Sequence, residues 1–317
     1  MAVINTLTSL SQSGNTGVPA PALHPGLIKG AILIDPSFSL TPSEILTIET
    51  TLAAATLVVG TGRIFPISGF EEMKDASEEE QVQTLGYGSK TLGREGKYDW
   101  SFRITKGGIE LLKNLRKFND RDMSVLFWDE NNKLYGWKDD SDNMKGFTLE
   151  FFYAKPWKVA DGSNDTIYMI RFAMKEVSEL NDDLAFVACD FDIANTIKGI
   201  IDVTLTEVSH TGTTAIVKVT TAFGAIDLGA LFETNLEKAA NWRLYPVAGG
   251  SDVVPSGIVY TAPTGTNTVG YFTITHSALT ASHYLSLDTP AVLAADGMGG
   301  SPDNGYESNT ITIAYTS

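Results

Sequence analysis

The chain has 317 residues, 43% of them hydrophobic and 19% charged, with a formal net charge of −15 and a pI near 4.6. That length suits two domains, and that composition can bury a sizeable core. The acidity argues against a surface that wraps nucleic acid or docks on anionic lipid, since both need a basic patch. The opening MAVINTLTSLSQSGNTG has no basic stretch followed by an apolar one, so no secretory leader is expected there. The longest apolar candidate, LAAATLVVG at 52–60, is half the length of a membrane span, so no membrane partner is expected. The single cysteine, Cys189, sits in FVACDF and reads as a small core residue, because a reactive thiolate wants basic neighbours. His24, His210, His276 and His283 are scattered singly and read as strand or surface residues.

Residues 1–30 read as an extended arm, rich in Ser, Gly, Pro and Asn and without periodicity. It is either a loose terminus or a segment that becomes ordered on a neighbouring subunit. In LTPSEILTIETTLAAATLVV, Thr41 suits an N-cap, Pro42 the first turn, and Glu44 the third position of a capping box. Ile45, Ile48 and Leu52 follow at helical spacing, although the C-terminal half could equally be strand. The acidic run GFEEMKDASEEEQVQ at 69–83 reads as a solvated loop.

Residues 86–100, GYGSKTLGREGKYDW, pose the question of a phosphate loop. Such a loop must feed a helix, whose N-terminal amides hold the anion. Here it feeds a strand: Tyr98, Trp100, Phe102 and Ile104 alternate with Lys97, Asp99, Ser101 and Arg103. Gly88 and Gly93 have the phosphate-loop spacing, but Arg94-Glu95 follows in place of Lys-Ser/Thr. The glycines therefore read as turn residues.

GGIELLKNLRKFND predicts a second helix, with Ile109, Leu112, Leu115 or Arg116, and Phe118 near helical spacing. A hairpin follows, SVLFWD and KLYGW about a turn at ENN, then strands at FTLEFFY, IYMIRFAM and LAFVACDF. Four of the five tryptophans lie between Trp100 and Trp157. A mostly β domain of residues 31–195 is the expectation.

The composition shifts after Asn195: only Lys198, Lys218, Lys238 and Arg243 of the 23 basic residues lie in 196–317. Six short runs, IDVTLTEV, TAIVKVT, NWRLYPV, GYFTITH, HYLSLDT and NTITIAY, are separated by turn residues and predict a β-sandwich over 196–317. The stretch LTASHYLSL resembles the corner before the penultimate strand of Ig-like modules, with Tyr284 holding the corner by a backbone hydrogen bond.

The chemical motifs are sparse. DDSDNMKGFTLE at 139–150 loosely fits a calcium loop through Asp139, Ser141, Asn143 and Glu150, but Met144 stands where that loop needs glycine, and a solvated turn is the better reading. DGSND at 161–165 is likewise a turn. Trp128, Tyr135 and Trp137 could stack bases or sugars, but packing of one hairpin face on the preceding helix is preferred. No HExxH, GxSxG or CxxC occurs. No catalytic, cofactor-binding or metal residue is nominated, no cofactor is expected, and the chain reads as a non-enzyme.

The order of arm, strand-rich domain with a helix and a long aromatic hairpin, and Ig-like sandwich resembles the major tail tube proteins of long-tailed bacteriophages. The stretches that carry it are RIFPISGF at 63–70, LGREGKYDWSF at 92–102 and KGFTLEFFYAKPW at 145–157. The resemblance covers residues 25–195 and implies a mainly β subunit, a β-sandwich or barrel with one or two helices, stacked as homo-oligomeric, hexameric rings around a DNA channel in the virion tail. Its partners would be itself and other virion proteins, with DNA passing by unbound and assembly in the bacterial host cytoplasm. Ig-like additions in that family decorate the outside, where a glycan contact is possible. The long section to about Val58 departs from that pattern. A capsid decoration, neck or baseplate protein, or a surface adhesin or glycan-binding protein, stands as the alternative.

Overall fold

The computed structural model describes residues 4–6, 25–104, 107–160, 162, 166–265, 267–299 and 305–314. The fold is mainly β, with short helices between the strands. The chain divides into two compact units, Met1–Thr56 with Gly60–Ile197, and Leu57–Val59 with Lys198–Ser317.

The first unit begins with β1 (Ile4–Thr6), β2 (Ile28–Ile34) and β3 (Ser39–Leu40), then α1 (Pro42–Ile45) and α2 (Ile48–Thr56). β4 (Phe65–Ser68), β5 (Phe70–Asp75), β6 (Gln81–Thr84), β7 (Lys90–Arg94) and β8 (Asp99–Ile104) follow. After α3 (Gly108–Leu115) come β9 (Ser124–Asp129), β10 (Lys133–Lys138), β11 (Met144–Lys145), β12 (Phe147–Ala154) and β13 (Tyr168–Met174). The unit ends with α4 (Ser178–Asn181), β14 (Leu184–Ala188) and α5 (Ile193–Thr196).

One antiparallel sheet runs β1-β14-β10-β9-β12-β13-β8-β5, with β2 also pairing to β9 and β4. Strand β9 lies at its heart, and all six of its residues are buried. Its period-two alternation feeds two cores. Val125 and Phe127 join an aromatic cluster with Phe102, Phe147, Phe152 and Phe172, whereas Leu126 and Trp128 join Ile32, Leu52 and Ile193 on the other face. Phe127 has the rings of Phe102, Phe147 and Phe172 at 5.2–6.2 Å between centroids, within the range where aromatic pairs attract. Gly30 serves that packing, because a Cβ there would meet the Trp128 ring at 2.0 Å.

Several local readings hold. The Thr41 hydroxyl accepts from the Glu44 amide, and the Glu44 carboxylate accepts from the Thr41 amide at 2.8 Å, so the capping box is complete. Ile45, Ile48 and Leu52 are buried, and α2 stays helical to Thr56. The phosphate-loop region is a hairpin rather than a loop before a helix. Gly88 takes φ +79° in its turn, and Gly96 lets the Glu78 carbonyl pass where a Cβ would lie at 1.8 Å.

Other readings are corrected. The run 69–83 contains β5, and β6 starts at Gln81. Phe70 anchors β5 by stacking on Phe102, while its charges face outward along an edge strand. Asp99 and Ser101, expected on the wet face of β8, are only 9% and 3% exposed, because long side chains of neighbouring strands cover them. Ile109 is exposed, since the buried stripe of α3 runs through Leu112 and Leu115 with Leu111 and Phe118 beside it. Residues 28–30 belong to β2 rather than to an arm. Arm residues 1–3 and 7–24 lie outside the described residues, as does all of 161–165 but Gly162, while Ile4–Thr6 of the expected arm form β1 on this chain's own sheet.

The second unit holds β15 (Ile200–His210), β16 (Thr214–Thr221), α6 (Leu228–Leu236), β17 (Trp242–Pro246) and β18 (Gly257–Thr261). It continues with β19 (Tyr271–Thr275), β20 (His283–Leu287), α7 (Pro290–Leu293), β21 (Gly305–Ser308) and β22 (Ile311–Ile313). A five-stranded sheet, β18-β19-β16-β15-β21, and a three-stranded one, β17-β20-β22, close over one core containing Val217, Trp242, Phe272 and Leu285. All six predicted strands are present. Helices α6 and α7 and strands β18 and β21 were not anticipated. Asp227 caps α6 by accepting from the Gly229 amide, and it also takes the Tyr260 hydroxyl and the Gly270 amide. Tyr284 does not hold a corner. It lies mid-strand in β20 with its ring on Tyr245, and the corner carbonyl of Ala281 is met by His283 Nδ1 at 2.8 Å.

Candidate assembly surface

The sequence motifs weighed for chemistry resolve into structural roles. Asp139 accepts from the Ser141 and Asn143 amides, and the Lys145 ammonium lies 3.1 Å from it, so its charge is met within its own turn. Burial would raise this carboxyl, but those donors outweigh it and hold it at about 2. Glu150 pairs with Lys97 on the sheet instead. Trp128 and Tyr135 are buried on opposite faces of the hairpin, and the Trp137 indole donates to the Gly146 carbonyl at 2.8 Å. They form no common stacking platform. Burial, with Asp190 alongside, pushes the Cys189 thiol up to about 12, which favours its protonated form. Among the described residues no group of three His, Cys, Asp or Glu could hold a metal, and no helix is long and apolar enough to cross a membrane.

The open surface of the first unit lies at the β5 end of its sheet. Past Asp75 the chain keeps pairing with the strand opposite, the Ala76 amide donating to Asp99 and the Glu78 amide to Lys97. Then it leaves the sheet. Among the described residues β6 and β7 pair only with each other, and every residue from Glu78 to Glu95 is exposed. An isolated two-stranded ribbon is marginal in water, because it has no third layer to bury a face against. This one nonetheless carries apolar side chains. Val82 and Leu92 sit directly opposite each other, both about half exposed, and Leu85 and Tyr87 crown the turn. The Arg94–Glu78 ion pair ties its base. The sequence reading missed this element because its apolar residues have no run of alternation long enough to register as strands.

Beside the ribbon, the outer face of β12, β13, β8 and β5 is aligned in rows. Tyr153, Arg171, Ser101 and Lys74 are successive partners across the four strands, with Phe151, Ala173 and Asp99 in the next row. The Arg171 guanidinium spans Asp99, with Nε at 2.8 and 2.9 Å from its two oxygens, and lies 5.0 Å over the Phe151 ring. The Lys155 ammonium meets the Ser101 hydroxyl at 3.2 Å. Partial burial and then the nearby Arg171 push the Lys155 ammonium below its ordinary value, with Lys74 and Lys158 adding to this and Asp99 opposing it. A cation-rich strip with partly exposed Phe151, Tyr153 and Trp157 thus lies on a strongly acidic chain.

Comparison with known proteins gives no family model, no curated protein and no solved structure that matches this chain.

Proposed function

We propose that this chain is a structural subunit that assembles with copies of itself, and that its setting is a bacteriophage virion, with the tail tube as the first reading. The projecting ribbon carries the proposal. A hairpin exposed all round and bearing Val82, Leu85, Tyr87 and Leu92 has a fold-level reason to exist only if something else covers it. The neighbouring cation–aromatic strip adds a charged face that an acidic surface of a second copy complements. The net charge of −15 fits a channel wall past which DNA slides without being held.

Electron microscopy and sedimentation of the purified full chain test it. Rings, tubes or other regular particles that disappear when residues 81–94 are replaced by a short Gly-Ser turn support the reading. A monomer at every concentration, or particles indifferent to loss of the ribbon, overturns it. Decoration spikes, neck rings and baseplate assemblies would differ from tubes by their outline in the same images.

A further inference from the structure

The two ends of the large sheet are built differently. At one end β5 exposes Glu71, Glu72, Lys74 and Asp75, charges of the kind that stop an edge strand from pairing indiscriminately. At the other end β14 reads LAFVA, with no charge and no proline. An edge of that composition is an open template, and here it is covered: Ile4, Asn5 and Thr6 pair antiparallel with Val187, Phe186 and Ala185. The covering strand has three residues, and 21 residues separate it from β2.

We propose that the β14 edge is a strand-acceptor site, and that in the assembled protein it is filled by Ile4–Thr6 of a second copy. The inference rests on the self-assembly reading above and names a second element, besides the ribbon, that links the copies. Pairing within a chain and pairing between chains make the same backbone hydrogen bonds, so geometry decides between them. A connection of 21 residues reaches about 70 Å at ~3.3 Å per residue, more than enough to cross to a neighbour. Of those 21 residues Gly14, Gly17, Gly26, Pro19, Pro21 and Pro25 are glycine or proline, a linker-like composition. Within one chain a three-residue strand must offset the entropy of closing that loop. Between copies already held side by side, the acceptor edge is presented at the high effective concentration of a tethered site, and each exchanged strand ties two subunits together.

The test places the two members of one register pair on different chains. One variant carries Asn5→Cys and the other Phe186→Cys, each with Cys189→Ser, and the two are mixed, assembled and oxidised with glutathione disulfide. Exchange gives a covalent dimer in the mixture and none of that species in either variant alone. The pair Thr6→Cys and Ala185→Cys repeats the measurement one residue along, in case the Phe186 substitution disturbs the edge. A third protein carries both cysteines of a pair on one chain. A disulfide that forms within this chain, with none between chains in the mixture, overturns the exchange. Absence of any disulfide in all three proteins overturns it too, because either mode of pairing sets these residues opposite each other. Sedimentation of the same samples separates this outcome from the fate of the self-assembly reading. Regular particles with intrachain disulfides remove the exchange alone, whereas covalent dimers without larger particles keep the exchange and sink the virion assembly.

Discussion

The β9–β10 hairpin and the β6–β7 hairpin belong to the same unit and differ in almost everything but topology. The first is buried on both faces, and its turn is organised by one carboxylate. Asp129 accepts from the amides of Gly26, Asn131 and Lys133 and from the Tyr135 hydroxyl. The second has a Gly88 turn, no buried residue and, among the described residues, no strand paired to it beyond its own partner. One hairpin is stabilised by what this chain folds around it. The other has its apolar side chains left over after the chain has finished folding. On the proposed reading the first hairpin makes the molecule and the second would make the assembly.

The comparison breaks first at Phe127. Its ring is fully buried and touches the rings of Phe102, Phe147 and Phe172, so Phe127→Ala should cost about 3–5 kcal/mol, read as a lowered denaturant midpoint of the first unit. An unchanged midpoint would mean that β9 is not the centre of the core. Next comes the turn. Asp129→Ala strands the buried Tyr135 hydroxyl and three amides, and the expected loss is about 2–3 kcal/mol.

The same carboxylate predicts a pH dependence. Burial raises the Asp129 carboxyl, but the Lys133 amide, the Tyr135 hydroxyl and the Gly26 and Asn131 amides outweigh it, and the net value lies below the ordinary 3.8. A carboxyl depressed in the folded state contributes stability that is present above its unfolded value and lost as pH falls through its folded value. Urea melts of the parent chain should therefore weaken below about pH 4, and Asp129→Asn should flatten that dependence. Parallel curves for the two proteins would reject the assignment.

The smallest effect on stability, and the sharpest contrast, belongs to the exposed ribbon. Val82→Ser with Leu92→Ser should leave the folding stability of the monomer unchanged within about 0.5 kcal/mol while weakening assembly in sedimentation. A large loss of monomer stability would show that the ribbon packs on its own chain.

Local chemistry was readable in one dimension. The capping box at Thr41, the glycine turn at Gly88, the alternation of β8 and the six predicted strands of the second unit all depend on residues a few positions apart, and a linear pattern carries them. Composition likewise determined the acidity. Tertiary structure decided everything that depends on a partner distant in the chain. Asp99 reads as a wet-face residue until Arg171, 72 residues on, covers it. Trp128 and Tyr135 read as one aromatic face until their two strands are found between two cores. The acidic run at 69–83 reads as a loop until Phe70 finds Phe102 and turns it into an edge. A strand's burial is set by what lies on its two faces and its two edges, and a sequence shows only what lies before and after it.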